Sequence, residues 1–250
     1  MAERSGVFSD REIREAQDAG RIIIDPFDPN HVKGSSYDVS LGGFYYRTES
    51  TSHGNFYNPF DPASVKKYFG KVQVATTHEE YVETNGLQPF VNIPLDHPII
   101  VLGPGERILG HTHEFIGIRG EEGTTMMKAR STWGRNGISV CHDAGWGDPG
   151  YVNRWTMEII NLNQQSPVPL PVGERVGQIV FFHTGIVDSP YLGKYQTADQ
   201  ELSPVELLGA VKSAWSPEQM LPGAHKDHRP AVKEILGLTI DEPFVNKGDK

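Results

Sequence analysis

WTMEIINLNQQSPVPLPVGERVGQIVFF, residues 155–182, contains two apolar runs, Trp155 to Asn161 and Gln178 to Phe182, with the turn Pro171-Val172-Gly173 between them. Both runs are too short for an ordinary helix and are bounded by turn residues, so each reads as a strand. The same pattern extends upstream. Ile138 to Cys141, Phe115 to Ile118, Arg107 to Gly110, Ile99 to Leu102 and Phe90 to Ile93 are further short candidates, with Pro104-Gly105 as a turn among them. Many short strands without long helices predict a mainly β chain, folded as a sandwich or a barrel.

Helices are expected only at the margins. Ser9-Asp10-Arg11-Glu12 reads as a capping box, followed by Ile13 and Ala16 at helical spacing and Gly20 as a stop. Strands then start at Ile22-Ile23-Ile24 and run from Ser36 to Leu41. Residues 48–88 are polar and irregular and read as an insertion, with Asp61-Pro62 opening a small helix through Phe69. After Pro190 the character changes. Ser203-Pro204-Val205-Glu206 is a second capping box, with Val205, Leu208 and Trp215 on one helical face, and residues 230–236 suit another helical turn or two. The expected organisation is a β domain over residues 1–200 and a partly helical C-terminal extension over 201–250.

Composition narrows the function. Hydrophobic residues make up 37% and charged residues 22% of the 250 residues, values of a soluble globular chain. A net charge of −9 argues against a broad basic surface for nucleic acid and leaves a phosphate ligand to a local basic pocket. No stretch approaches the length that spans a bilayer, and Met-Ala-Glu-Arg-Ser-Gly has no apolar signal core, so no membrane partner is expected. The single cysteine, Cys141, excludes an intrachain disulfide framework and makes the cytoplasm the expected setting.

The densest chemistry lies between Lys128 and Glu158. Lys128, Arg130 and Arg135 come with the hydroxyls of Ser131 and Thr132, and no acid stands among them. This cluster reads either as a phosphate clamp, since Arg forks match phosphate oxygens, or as a solvated patch. Asp143-Ala144-Gly145-Trp146-Gly147-Asp148-Pro149-Gly150-Tyr151 is a tight loop where backbone can approach a ligand, or an ordinary turn. Glu158 shares a strand face with Thr156 and Ile160. If that face is partly buried, the carboxyl pKa rises toward a value useful in proton transfer; if not, Glu158 simply faces solvent. His111 and His113 alternate as a metal pair would, yet no third ligand has suitable spacing. One cysteine cannot supply the ligand set of the zinc nucleobase deaminases, so no zinc is expected.

Taken together, these segments resemble the dCTP deaminase family. Ser9 to Ile13, Ile24-Asp25-Pro26-Phe27 and Ser35 to Gly42 are similar to its opening, and Leu102 to Glu106 to its middle turn. Arg130-Ser131-Thr132-Trp133-Gly134-Arg135 resembles its Arg-Ser-Ser-x-x-Arg signature, Ala144 to Tyr151 its loop, and Met157-Glu158-Ile159-Ile160-Asn161 its Leu-Glu-x-x-Asn strand. Pro171 to Gln178 and Tyr191 to Gln196 complete the order. Asp143 stands where the family carries Thr, and Thr132 stands for the second Ser.

The resemblance implies a distorted β-barrel or jelly-roll of the dUTPase-like type, assembled as a homotrimer with sites between subunits. It implies a metal-free deamination of dCTP to dUTP, continuing to dUMP and pyrophosphate in bifunctional members, whose Ala-Gly loop this one resembles. Glu158, Ser131 and Arg135 would be catalytic. Arg130, Thr132, Ala144, Asp148, Asn161, Gln178, Tyr191 and Lys194 would bind the nucleotide, with Mg²⁺ carried by its phosphates. A plain dUTPase on the same scaffold and a non-catalytic nucleotide-binding regulator are the alternatives. Asp148 favours the first of these; the retention of Ser131, Arg135 and Glu158 argues against the second.

Overall fold

The computed structural model describes residues 6–48, 56–120, 123–191, 193–195 and 202–227; the helical turn expected at 230–236, with Leu192 and Gln196, lies outside them. In chain order come α1 (Asp10–Asp18), β1 (Ile22–Asp25), β2 (Val32–Lys33), β3 (Ser36–Ser40) and β4 (Phe44–Arg47). Next come α2 (Pro62–Phe69), β5 (Gln73–Val74), β6 (Thr76–Thr77) and α3 (His78–Asn85). The body continues with β7 (Pro98–Leu102), β8 (Arg107–Ile118), β9 (Gly123–Ala129), α4 (Ser131–Arg135), β10 (Ile138–Val140) and β11 (Trp146–Gly147). It closes with β12 (Val152–Asn161), β13 (Val168–Pro171), β14 (Arg175–His183) and α5 (Pro204–Ala214).

The described strands pair antiparallel in three sheets: β10-β12-β8-β4-β5 with β1 also on β8, then β11-β9-β14-β3-β2, then β13-β7-β6. The inward residues of all three meet in one core. Ile108, Ile116, Met157 and Ile159 of the first sheet face Tyr37, Val39, Met127, Ile179 and Phe181 of the second, while Leu102 and Leu170 fill the end. This is a jelly-roll-like sandwich. The closed barrel is not realised, because each sheet keeps free ends to its strand order.

Strand β8 is one strand where two were expected, and the residues between the expected pair explain why. Arg154 of β12 pairs with Phe115 while Thr156 pairs with His111, so three residues of β8 stand opposite Trp155 alone. The Trp155 N–H, deprived of a backbone acceptor, donates to Thr112 Oγ1 at 2.9 Å, and that hydroxyl donates to the Glu114 carbonyl at 2.7 Å. The bulge also turns the Glu114 carboxylate toward the second sheet, where it accepts the Ser40 N–H at 2.9 and 3.2 Å. Burial holds that carboxyl above its usual range.

Both capping boxes form, at Ser9–Glu12 and Ser203–Glu206, and Asp61 caps α2. Two expectations fail. Phe90 to Ile93 is a turn rather than a strand: Asn92 has φ +65°, the Phe90 N–H donates to His78 Nε2 at 2.8 Å, and the two rings stack at 4.9 Å. On α5 the fully buried residues are Leu207 and Val211, packed on Ile23, Phe115 and Val152; of the expected face Leu208 and Trp215 pack against this cluster, whereas Val205 is 82% exposed.

His111 shows how tightly the bulge is packed. Its Nδ1–H donates to the Thr112 carbonyl at 2.8 Å, and its Nε2 accepts the Phe44 N–H at 3.2 Å. Both nitrogens are thereby used within the fold, and burial pushes the ring pKa down to about 4, so it is neutral at pH 7. A Cβ on Gly42 would stand 2.0 Å from His111 Cε1. The ring cannot retreat without breaking both hydrogen bonds. Gly42→Ala should therefore cost about 1–3 kcal/mol in urea denaturation, the range of overpacked cores; an unchanged midpoint would show that the ring is free to move.

Candidate active site

Because Trp155, Met157 and Ile159 point into the core, Arg154, Thr156 and Glu158 point out of the sandwich on the other face of β12. That face is not open to solvent. The loop 141–151 rises on one side of it. The Cys141 N–H donates to the Glu158 carbonyl at 3.1 Å, and Cys141 takes φ +50° to start the loop. Glycines let the loop lie flat: a Cβ on Gly145 would stand 2.2 Å from the Met127 carbonyl oxygen, and one on Gly147 2.3 Å from the Trp155 ring. Thr124 and Thr125 hydroxyls donate to the Gly147 carbonyl at 2.7 and 3.2 Å.

The other wall comes from the end of the chain. Trp215, at the C-cap of α5, lies 4.9 Å from the His111 ring, and Arg154 sits 4.7 Å over both Trp215 and Phe115. The 3₁₀ turn Pro217–Met220 follows. There Met220 and Leu221 pack on Val65 and Phe69 of α2, above Tyr46 and Leu109. Asn153, 3% exposed, ties the walls together by donating to the Tyr195 carbonyl at 3.0 Å and to Gln219 Oε1 at 3.3 Å.

A cavity of about 360 Å³ remains between these walls, the size of a small-molecule site. Glu158, Ala144, Asp148 and Tyr191 of the sequence-derived set line it. Aromatic surface comes from Tyr151, which meets Trp155 and Tyr191 edge-on at 5.4 Å each. Glu158 is the half-buried carboxylate facing it. Desolvation raises its pKa, while attraction to Arg107 opposes the rise, and its Oε2 has no hydrogen-bond partner among the described residues. A desolvated carboxyl with a free oxygen is equipped to take a proton from water and return it.

Other residues of the set lie elsewhere. Ser131, Thr132 and Arg135 are exposed on α4 and none lines this cavity. Arg130 is engaged within the fold, 3.1 Å from the buried Asp38 and 3.1 Å from the Arg175 carbonyl. Gln178 sits half-buried in β14, opposite Asp38 and Lys128. Asn161 is fully buried and donates to the carbonyls of Leu102, Gly103 and Ser166, so its amide secures the turn after β12. Lys194 lines a neighbouring cavity and pairs with Asp227 at 2.6 Å. Sequence reasoning missed Asn153, Arg154 and the tail's Trp215, Gln219 and Met220. The one signal was Trp215, placed on an apolar helical face.

The described strands thus form an antiparallel β-sandwich that holds a desolvated carboxylate in a small aromatic-walled cavity. The sequence profile of the dCTP deaminase-like family matches residues 7–184, and the chain belongs to that family. A dCTP deaminase, dUMP-forming, of Acidothermus cellulolyticus is 32% identical over 186 residues, covering 74% of this chain and 84% of the relative. Its counterpart in Methanosphaera stadtmanae is 33% identical over 180 residues, covering 70% and 78%. The crystal structure of a 2'-deoxycytidine 5'-triphosphate deaminase from Agrobacterium tumefaciens superposes with a TM-score of 0.49 at 17% identity, covering 73% of this chain and 49% of that one. The tail that walls the cavity lies beyond the family match.

The raised pKa has a stability consequence. A carboxyl whose folded pKa exceeds its unfolded one stabilises the fold when protonated, and that contribution is lost as pH rises through the folded value. Glu158→Gln removes the buried charge. Its melting temperature should exceed wild type at about pH 8, and the gain should shrink toward about pH 5. A variant less stable than wild type at the higher pH would mean that Glu158 is held as a favourable ion.

Proposed function

We propose that this chain deaminates dCTP, taken as its Mg²⁺ complex, to dUTP and ammonia, and carries the product on to dUMP and pyrophosphate. The observation that carries this reading is Glu158: a desolvated carboxylate with an unpartnered oxygen, facing a cavity of nucleobase size, on the strand that the family match covers. The carboxylate takes a proton from water, and the hydroxide adds to C4 of the cytosine. Glu158 returns the proton to N3. Glu158, ionised again, takes the proton of the new C4 hydroxyl and passes it to the exocyclic nitrogen; the C4–N bond breaks as the C4 carbonyl forms, ammonia leaves and the ring becomes uracil. The names of the relatives, dUMP-forming, support the second step, as does Asp148, which lines the same cavity and can orient water toward the α-phosphorus.

In this scheme Ser131 orients the attacking water and Arg135 stabilises developing negative charge. Both are exposed on α4, which supports an assembly in which a second copy of the chain presents α4 to the Glu158 cavity. We take that assembly to be a homotrimer, working in the cytoplasm without nucleic-acid or membrane partners. Thr132, Arg130 and Gln178 would stand on the phosphate side; Ala144 and Tyr191 would flank the base. No described helix is long and apolar enough to cross a membrane, and no group of three or more His, Cys, Asp or Glu among the described residues could hold a metal.

Incubation of the pure protein with dCTP and with dUTP, followed by chromatography, should give dUMP from both. Glu158→Gln should lower deamination by at least ~10²-fold while nucleotide still binds; near-normal turnover would remove Glu158 from the mechanism. Mixing Arg135→Ala chains with Glu158→Gln chains, each inactive alone, should restore part of the activity as subunits exchange. Absence of recovery despite demonstrated exchange would place both residues in one chain's site.

A further inference from the structure

Asp38 lies on the outer face of the second sheet, because its neighbours Tyr37 and Val39 point into the core. In register it stands opposite Gln178 of β14, which in turn stands opposite Lys128 of β9. A carboxylate on an outer face is ordinarily solvated, yet Asp38 is only 2% exposed. Two arginines close on it. Arg130 Nε lies 3.1 Å and Arg175 Nη1 3.3 Å from the same oxygen, Oδ2.

These contacts fix Arg130 along most of its length. Its backbone N–H donates to the Val176 carbonyl at 3.0 Å, Nε meets Asp38, and Nη1 donates to the Arg175 carbonyl at 3.1 Å. The same carbonyl accepts the Trp133 ring N–H at 3.1 Å, so α4 is anchored at that spot too. Glu174, 43% exposed and 3.9 Å from Nη1, is the looser of the two acids. Nη2 is left without a partner among the described residues, on a side chain that is still 22% exposed.

Next to groups that meet phosphate, a carboxylate is repulsive by itself. Its use lies in what it does to the arginine. A guanidinium is a rigid planar fork, so fixing one edge fixes where the other presents its donors, and less freedom is lost when they bind. We propose that Asp38 is a positioning residue: it holds the Nε edge of Arg130 so that the free Nη2 donors meet the substrate's phosphates in one orientation. Asp38 itself touches no substrate atom. The inference rests on the deaminase reading, in which Arg130, Thr132 and Gln178 stand on the phosphate side.

The test is a double-mutant cycle in the full chain with dCTP as substrate. Asp38→Asn keeps the shape and removes the charge. It should raise KM for dCTP by at least ~10-fold, about what one charge-assisted hydrogen bond contributes, with kcat held within about twofold. In an Arg130→Ala background the same substitution should change KM by less than about twofold, because nothing remains to be positioned. Additive effects, or an unchanged KM in folded Asp38→Asn, overturn the proposal. Loss of the carboxylate leaves two guanidiniums uncompensated, a strain on folding. Asp38→Asn/Arg175→Gln removes one of them and keeps the Arg175 carbonyl; it should show the same rise in KM, whereas Arg175→Gln alone should not. A second readout is independent of turnover. The Arg130 Nε–H should give a solvent-protected signal in heteronuclear NMR that is lost in Asp38→Asn, and its persistence there also overturns the proposal. Wild type that leaves dCTP intact refutes the deaminase reading; the hold of Asp38 on Arg130 is then judged by that signal and by the affinity for inorganic tripolyphosphate, which should fall in Asp38→Asn.

Discussion

The bulge of β8 opposite Trp155 is the constraint on which the arrangement rests. Three residues of one strand face one of the other, and Thr112 makes this tolerable because its hydroxyl stands in for the acceptor that Trp155 has lost. Trp155 is then fixed at its other end by donation from its ring to the Ile116 carbonyl at 2.9 Å. With Trp155 locked inward, strand alternation leaves Glu158 no choice of face. The same bulge aims Glu114 at Ser40 and so joins the first sheet to the second. Registering the sandwich and orienting the carboxylate are therefore one event.

A carboxylate on the outer face of a sheet would ordinarily be solvated and unremarkable. What changes it is cover. The glycine-bearing loop on one side and the tail on the other remove water from Glu158 without supplying its Oε2 with a donor. Burial then favours the protonated form and raises the carboxyl pKa, while the backbone hydrogen bond to Glu158's own N–H and the charge of Arg107 oppose the rise. The cost of this arrangement is carried by the sandwich behind it, whose core is contributed by all three sheets.

Helix α2 and the tail are remote in sequence but meet in space. Val65 and Phe69 of α2 pack in one apolar cluster with Met220 and Leu221, over Tyr46 and Leu109. Their junction closes the aromatic cavity over Glu158.

Local signals in the chain determined the parts whose causes are local. The capping boxes at Ser9 and Ser203, the Asp61-Pro62 helix start and the alternation of β12 each depend on neighbours a few residues away, and Glu158 could be placed on its face from that alternation alone. The two expected strands at 107–110 and 115–118 even bracketed the bulge. Other features had no local cause to read. Helix α3 buries only His78 and Val82, too few for an apolar stripe, and Phe90 makes a turn because His78 reaches it. Which face of α5 is buried depended on Ile23, Phe115 and Val152. That Trp215, Gln219 and Met220 wall the cavity of Glu158, while Ser131 and Arg135 stand outside it, was decided by tertiary packing. Periodicity reports which side of an element is apolar, whereas the identity of its partner is set by shape and burial across long stretches of chain.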